Sequence, residues 1–172
     1  CQYSDICVFS FHPVKIITTC EGGICTTNDS ELHQKMYNLR SHGIVRNQED
    51  MKNTKHGPWY YEQIDLGFNY RLNDLQAALG ISQLKKLNSF VEKRILIAKK
   101  YDEIFQKETD LKLPNQAKQP ISSFHLYIIR IKKEGKLDRK VIFEKLRNNG
   151  ILVNIHYIPI YRQPFYSKGY SI

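Results

Sequence analysis

Apolar residues change their spacing several times along the chain, and each change marks an element. Ile6–Phe11 is a short, mostly apolar run, which predicts a buried strand. The β-branched runs Ile16–Thr19 and Ile24–Thr27 flank Glu21-Gly22-Gly23 and predict a hairpin between them. Asn28 or Asp29 then caps a predicted helix whose apolar positions are Leu32, Met36 and Leu39, ending near Gly43. Residues 44–63 are polar and irregular, with His56-Gly57-Pro58 leading into Trp59-Tyr60-Tyr61. An irregular segment of that length inside a compact domain is commonly functional.

From Asn73 or Asp74 to about Gln106 the apolar residues recur at steps of three to five, as in Leu75, Leu79, Leu84, Leu87, Val91 and Ile95. That period predicts one long helix connecting two domains, bent near Gly80 to Ser82. Beyond it, Pro114–Pro120 reads as a loop, Phe124–Ile131 as a strand, Asp138–Asn149 as a helix stopped by Gly150, and Ile151–Ile155 as another strand. Sheet and helix in alternation predict a small α+β domain at the C-terminal end.

The chain has 172 residues, enough for one full core or for one domain and part of another. Its net charge is +9, and residues 1–88 contribute none of it, so the whole excess lies in residues 89–172. A basic half attracts anionic ligands, nucleic acid among them. Here the basic residues are spread along predicted helices with acidic ones between, which is the pattern of a solvated surface, so no nucleic-acid partner is expected. Cys1, Cys7, Cys20 and Cys25 form no C-x-x-C pair and read as reduced structural thiols of a cytoplasmic protein. No apolar run reaches transmembrane length and no signal-peptide pattern is present, so no membrane partner is expected. The chain starts at Cys1 and enters a strand almost at once, which predicts a piece of a longer protein.

One lysine stands out against this background. In F-S-F-H-P-V-K-I-I-T-T-C-E-G-G, residues 9–23, Lys15 follows a strand and precedes a turn. A lysine at a sheet edge is either a solvated cation or a nitrogen held for chemistry. The stretch S-F-H-P-V-K-I-I-T-T-C-E-G-G resembles the cofactor-lysine motif of the DegT/DnrJ/EryC1/StrS aminotransferases, and L-G-F-N-Y-R-L-N-D-L-Q-A-A-L-G, residues 66–80, resembles that family's second signature. The resemblance runs the length of the chain. W-Y-Y-E-Q, L-V-N-I-H-Y-I-P and Q-P-F-Y are similar to the branch that serves pseudaminic acid synthesis.

The resemblance implies an α/β fold: the C-terminal part of a fold-type I, aspartate aminotransferase-like transferase dependent on pyridoxal 5'-phosphate. Residues 1–88 would be the remainder of the large cofactor-binding domain and residues 89–172 the small α+β domain. It implies Lys15 as the cofactor lysine and Ser10 as a phosphate donor. Asn69 would reach across a homodimer to the partner's cofactor phosphate. Arg71, His156 and Tyr157 would surround a nucleotide-linked 4-keto-6-deoxy sugar that receives an amino group from an amino-acid donor, glutamate. A primary amine suits the lysine's part because it loses its proton readily where water is excluded. A hydroxyl and a carboxamide give a phosphate N–H and O–H donors without added charge, and a guanidinium fork matches a diphosphate. His12 is expected to be structural or to touch the site from behind, and Trp59, Tyr60 and Tyr61 offer faces for a sugar or uracil ring.

Two departures from the family pattern matter. Cys20 stands where the family usually has glycine, which brings strain if that position needs positive φ. The chain that family members carry before the lysine supplies an aspartate for the pyridine nitrogen, an aromatic on the ring and further phosphate donors, and none of these can be assigned here. Three alternatives stay open: a truncated inactive relative, a nucleic-acid-binding module, and a sugar dehydratase in which histidine replaces the lysine. Lys15 argues against the last.

Overall fold

A computed structural model of the chain describes residues 1–53, 56–115, 122–133, 135 and 137–167. The chain divides into two compact units, Cys1–Ala98 with Pro120–Leu126, and Lys99–Gln119 with Tyr127–Ile172.

The first unit opens with strands β1 (Cys7–Ser10) and β2 (Gly23–Thr26), paired antiparallel with Val8 opposite Cys25 and Ser10 opposite Gly23. The hairpin thus differs from the expected one. Ile24–Thr27 finds its partner in Ile6–Phe11, and Ile16–Thr19 forms no strand. The reason lies in hydrogen bonds: the Thr18 hydroxyl and the Thr19 amide both donate to the Phe11 carbonyl, at 2.9 and 3.0 Å. These bonds fold residues 12–22 into a connecting loop. All four cysteines are free thiols.

Helix α1 (Ser30–Arg40) is capped by Asp29, whose carboxylate accepts from the Glu31 and Leu32 amides at 2.8 and 3.0 Å. After it the backbone turns left-handed at His42 and Gly43, with φ of 64° and 67°. There Gly67 crosses so closely that a Cβ on it would overlap the Gly43 amide, so only glycine lets the two segments meet. Strands β3 (Ile44–Val45) and β4 (Glu62–Gln63) pair antiparallel and close the intervening irregular segment, of which residues 54 and 55 lie outside the described residues.

The predicted long helix is two: α2 (Asp74–Leu84) and α3 (Leu87–Phe105). The interruption falls at Lys85 and Lys86 rather than at Gly80–Ser82. Gly80 stays helical and instead gives room for Thr19, whose methyl would crowd a Cβ there. Arg94 on α3 donates to the Phe124 carbonyl at 3.0 Å and fixes the returning segment. Val45, Ala98, Phe124, Thr19 and Glu62 are the buried side chains among the described residues, and all belong to this unit.

In the second unit β5 (Leu111–Lys112) pairs antiparallel with β6 (Arg130–Ile131). Only the last two residues of the predicted strand Phe124–Ile131 are in a ladder, because Phe124 has φ 45° and its amide turns to the Ser122 hydroxyl. Most of the predicted loop Pro114–Pro120 lies outside the described residues. Helix α4 (Arg139–Asn148) agrees with the pattern: Asp138 caps it by accepting from the Val141 amide at 2.9 Å, and Gly150 follows at φ 79°. Ile151–Ile155 is not a strand. Its first amide bonds back to Leu146 at 2.9 Å, and no neighbouring strand offers it a ladder among the described residues. A short helix, α5 (Pro164–Ser167), ends the described chain.

Candidate active site

Ser10 ends β1 and begins the loop that carries the lysine. The Phe11 amide donates to the Gly22 carbonyl at 2.9 Å, so the loop is pinned at both ends, by that bond and by the bonds from Thr18 and Thr19. Inside it the Lys15 amide donates to the His12 carbonyl at 2.9 Å, closing a turn with Pro13 at its second position. Proline's fixed φ suits that position, which explains why the sequence turns here. Lys15 sits half-buried on the turn. Its ammonium has no carboxylate within ion-pair distance among the described residues; the only such pair found there is His12 with Glu21, at 3.9 Å.

The Ser10 hydroxyl is exposed and lies 3.4 Å from the His12 amide, which leaves its own proton uncommitted. His12 Nδ1 lies 3.4 Å from the Val14 amide and Nε2 leans toward Glu21, so His12 braces the turn, in keeping with the structural reading.

Thr18, Thr19 and Cys20 set the rear of the loop, and sequence reasoning missed the role of the threonines. Thr18 Oγ1 accepts from the Cys20 amide at 2.9 Å, and Thr19, 1 % exposed, donates to the Glu21 carbonyl at 2.8 Å. Two adjacent hydroxyls just before E-G-G were the available signal, because serine and threonine build turns by bonding the backbone two residues on. Cys20 has φ 68°, so the position does take the left-handed backbone that glycine tolerates best. Behind the loop the Gln76 side chain donates to the Glu21 carbonyl at 3.0 Å and ties α2 to it.

Asn69 lies on the strand-like approach to α2, its backbone bridged to Ser41. Arg71 Nε donates to Asn69 Oδ1 at 2.8 Å, which orients the carboxamide and leaves its N–H groups outward on an exposed side chain. Phe68 and Tyr70 stack with centroids 4.8 Å apart across the same strand-like segment. Ser10 and Lys15 thus share one pinned loop without a contact between their side chains, whereas Asn69 and Arg71 are joined by a hydrogen bond. No hydrogen bond among the described residues joins one pair to the other.

His156 and Tyr157 belong to the second unit, where their exposed rings stack with centroids 4.1 Å apart. Tyr157 lines a mostly apolar groove with Ile155, Ile158, Pro159 and Ile160, to which Arg139 and Gln163 also contribute.

Near β4, Glu62 is 7 % exposed, yet it is fully engaged: its carboxylate accepts from the Lys52 and Asn53 amides at 2.6 and 2.7 Å and from the Tyr60 hydroxyl at 3.2 Å. The Lys52 amide bond, with those from Asn53 and Tyr60, holds this carboxyl below its ordinary range against the opposing push of burial. Burial, and then Glu62 itself, push the Tyr60 hydroxyl upward. In the second unit burial and a 2.6 Å bond to Asp102 likewise raise Tyr127.

Chemically, a half-buried amine free of carboxylates, an uncommitted hydroxyl and an oriented carboxamide suit a carbonyl-bearing, phosphorylated cofactor. No group of three or more His, Cys, Asp or Glu is gathered for a metal among the described residues, and no helix there is long and apolar enough to cross a membrane.

Residues 1–171 match the DegT/DnrJ/EryC1/StrS aminotransferase family. The chain is 44 % identical over 168 residues to a UDP-4-amino-4,6-dideoxy-N-acetyl-beta-L-altrosamine transaminase of Campylobacter jejuni, with 96 % of this chain and 42 % of that protein aligned. Among solved structures it is similar to Helicobacter pylori PseC, an aminotransferase involved in the biosynthesis of pseudoaminic acid, at 40 % identity and a TM-score of 0.86, covering 98 % of this chain and 43 % of the other. A putative sugar aminotransferase of Streptococcus pneumoniae in its PLP-form is 28 % identical, with a TM-score of 0.81 over 97 % of this chain and 42 % of the other. The chain thus spans about two fifths of the length of the relatives it matches. Its architecture is that of part of a fold-type I transferase, as the sequence implied.

Proposed function

Because the chain belongs to the DegT/DnrJ/EryC1/StrS aminotransferase family, we propose that it is the lysine-bearing part of an enzyme that aminates a nucleotide-linked 4-keto-6-deoxy sugar. The observation that carries this reading is Lys15: half-buried on a pinned turn at the end of β1, free of carboxylate partners among the described residues, within the motif of an aminotransferase family. Residues 1–88 are the part of the large cofactor-binding domain and residues 89–172 the small domain. The protein works in the cytoplasm as a homodimer, in surface-polysaccharide or flagellin-glycan sugar synthesis.

Pyridoxal 5'-phosphate, when bound, supplies the electron sink that makes the substrate proton labile. Lys15 Nζ would hold the cofactor and move the proton at the substrate carbon, a role open to a primary amine. Ser10 Oγ donates to the cofactor phosphate. Asn69, its carboxamide oxygen held by Arg71, turns its N–H groups toward the phosphate in the neighbouring subunit. The remaining Arg71 N–H groups face the sugar-nucleotide diphosphate, and His156 and Tyr157 meet the sugar. Glutamate is the amino donor.

The test uses these residues joined to the N-terminal part of the C. jejuni relative, with each half-reaction followed separately. Lys15→Ala should abolish both. Arg71→Ala should raise KM for the sugar-nucleotide roughly tenfold, the loss expected of a charged hydrogen bond, and raise KM for glutamate much less, through the loosened Asn69 alone. Equal effects of Arg71→Ala on both substrates would leave Arg71 only its hold on Asn69 and no part in binding the diphosphate. Retained turnover in Lys15→Ala would overturn the reading.

A further inference from the structure

Trp59 is the only tryptophan of the chain and is 79 % exposed, an unusual position for so large an apolar ring. It does not hang on a loose loop. The Tyr60 amide donates to the Gly57 carbonyl at 2.9 Å, closing a turn with Pro58 and Trp59 at its centre. The indole lies against Gly57 so closely that a Cβ there would overlap the ring, so one face of the indole is braced. Next to it, the His56 and Tyr60 rings meet tilted by 38°, with centroids 4.4 Å apart. The Tyr60 hydroxyl then reaches Glu62, the buried carboxylate that also collects the Lys52 and Asn53 amides. Tyr61 carries the Arg46 guanidinium 5.1 Å from its ring centroid, which adds a cation to the same segment. Glu62 thus ties the residue after Trp59 to the Lys52–Asn53 backbone, which suits a platform held in place before a ligand arrives.

We infer that Trp59 is a stacking face for the base of a nucleotide, and that Glu62 is the positioning residue that holds it. This deepens the sugar-nucleotide reading above and rests on it. A planar base covers an indole face fully, and the Arg46 charge suits the diphosphate that follows the base.

The 172-residue chain, titrated with UDP up to millimolar concentration, reports on this directly, since all its tryptophan emission comes from Trp59. Equilibrium dialysis measures binding independently. UDP should change the emission saturably, with the same midpoint as dialysis, and N-acetylglucosamine 1-phosphate should not. Trp59→Ala should weaken binding roughly tenfold and Trp59→Phe much less, as lost stacking requires. Glu62→Gln, which keeps the indole, should weaken binding and make the emission of the free protein resemble that of a mobile ring. Binding by dialysis with silent emission, and with affinity unchanged in Trp59→Ala, overturns the inference and leaves the sugar-nucleotide reading standing. An equal response to the sugar phosphate overturns the assignment to the base. Silence in both measurements counts against the platform and the reading together.

Discussion

Cys20 carries a side chain where the backbone has φ 68°, held there by the Thr18 hydroxyl and by the bonds that pin the lysine loop. A left-handed backbone at a non-glycine residue costs about 1 kcal/mol. Cys20→Gly should therefore stabilise the chain by nearly that amount, less what glycine adds to the flexibility of the unfolded state. Urea unfolding measures it, and a loss of stability would mean the thiol makes a contact worth more than the strain. At this scale the sequence was most informative where a family motif points to a residue. Lys15 after F-S-F-H-P-V and Cys20 before E-G-G could both be singled out by resemblance, without coordinates. Thr18 and Thr19 could not, because two β-branched residues score as strand whether they pair in a ladder or bond their own backbone.

Among elements, helix starts followed the pattern and strand pairing did not. Asp29, Asn73 and Asp138 each cap a helix within a residue of the expected start, since a cap is a local bond between neighbours in sequence. A strand needs a partner that sequence does not name. That is why β2 pairs with β1 rather than with Ile16–Thr19, and why Ile151–Ile155 stays outside any ladder. The division of the connecting helix at Lys85–Lys86 was equally hidden, because the apolar period continues through it. Asn73 offers a test at this level. Its side chain accepts from the Gln76 amide at 2.9 Å while the Gln76 side chain lies 3.3 Å from the Asn73 amide, a reciprocal cap that positions α2 behind the lysine loop. Asn73→Ala should cost about 1 kcal/mol in urea unfolding, and Asn73→Ser or Asn73→Asp should recover most of it. No loss on Asn73→Ala would show that Gln76 and its bond to Glu21 hold α2 alone.

At the level of the whole molecule, large apolar side chains such as Val8, Phe9, Leu66, Leu75 and Leu152 remain exposed. The chain spans two fifths of the relatives' length, and the resemblance implies further cofactor contacts in the other three fifths, so it should bind pyridoxal 5'-phosphate weakly by itself. The central claim is the identity of the lysine, and one measurement addresses it most directly. These residues, extended with the N-terminal part of the C. jejuni relative, are loaded with pyridoxal 5'-phosphate, reduced with borohydride, digested and mapped by mass spectrometry. The account predicts one phosphopyridoxyl group per chain, on Lys15, and none in Lys15→Ala. A label on another lysine, or one that persists in Lys15→Ala, would contradict it.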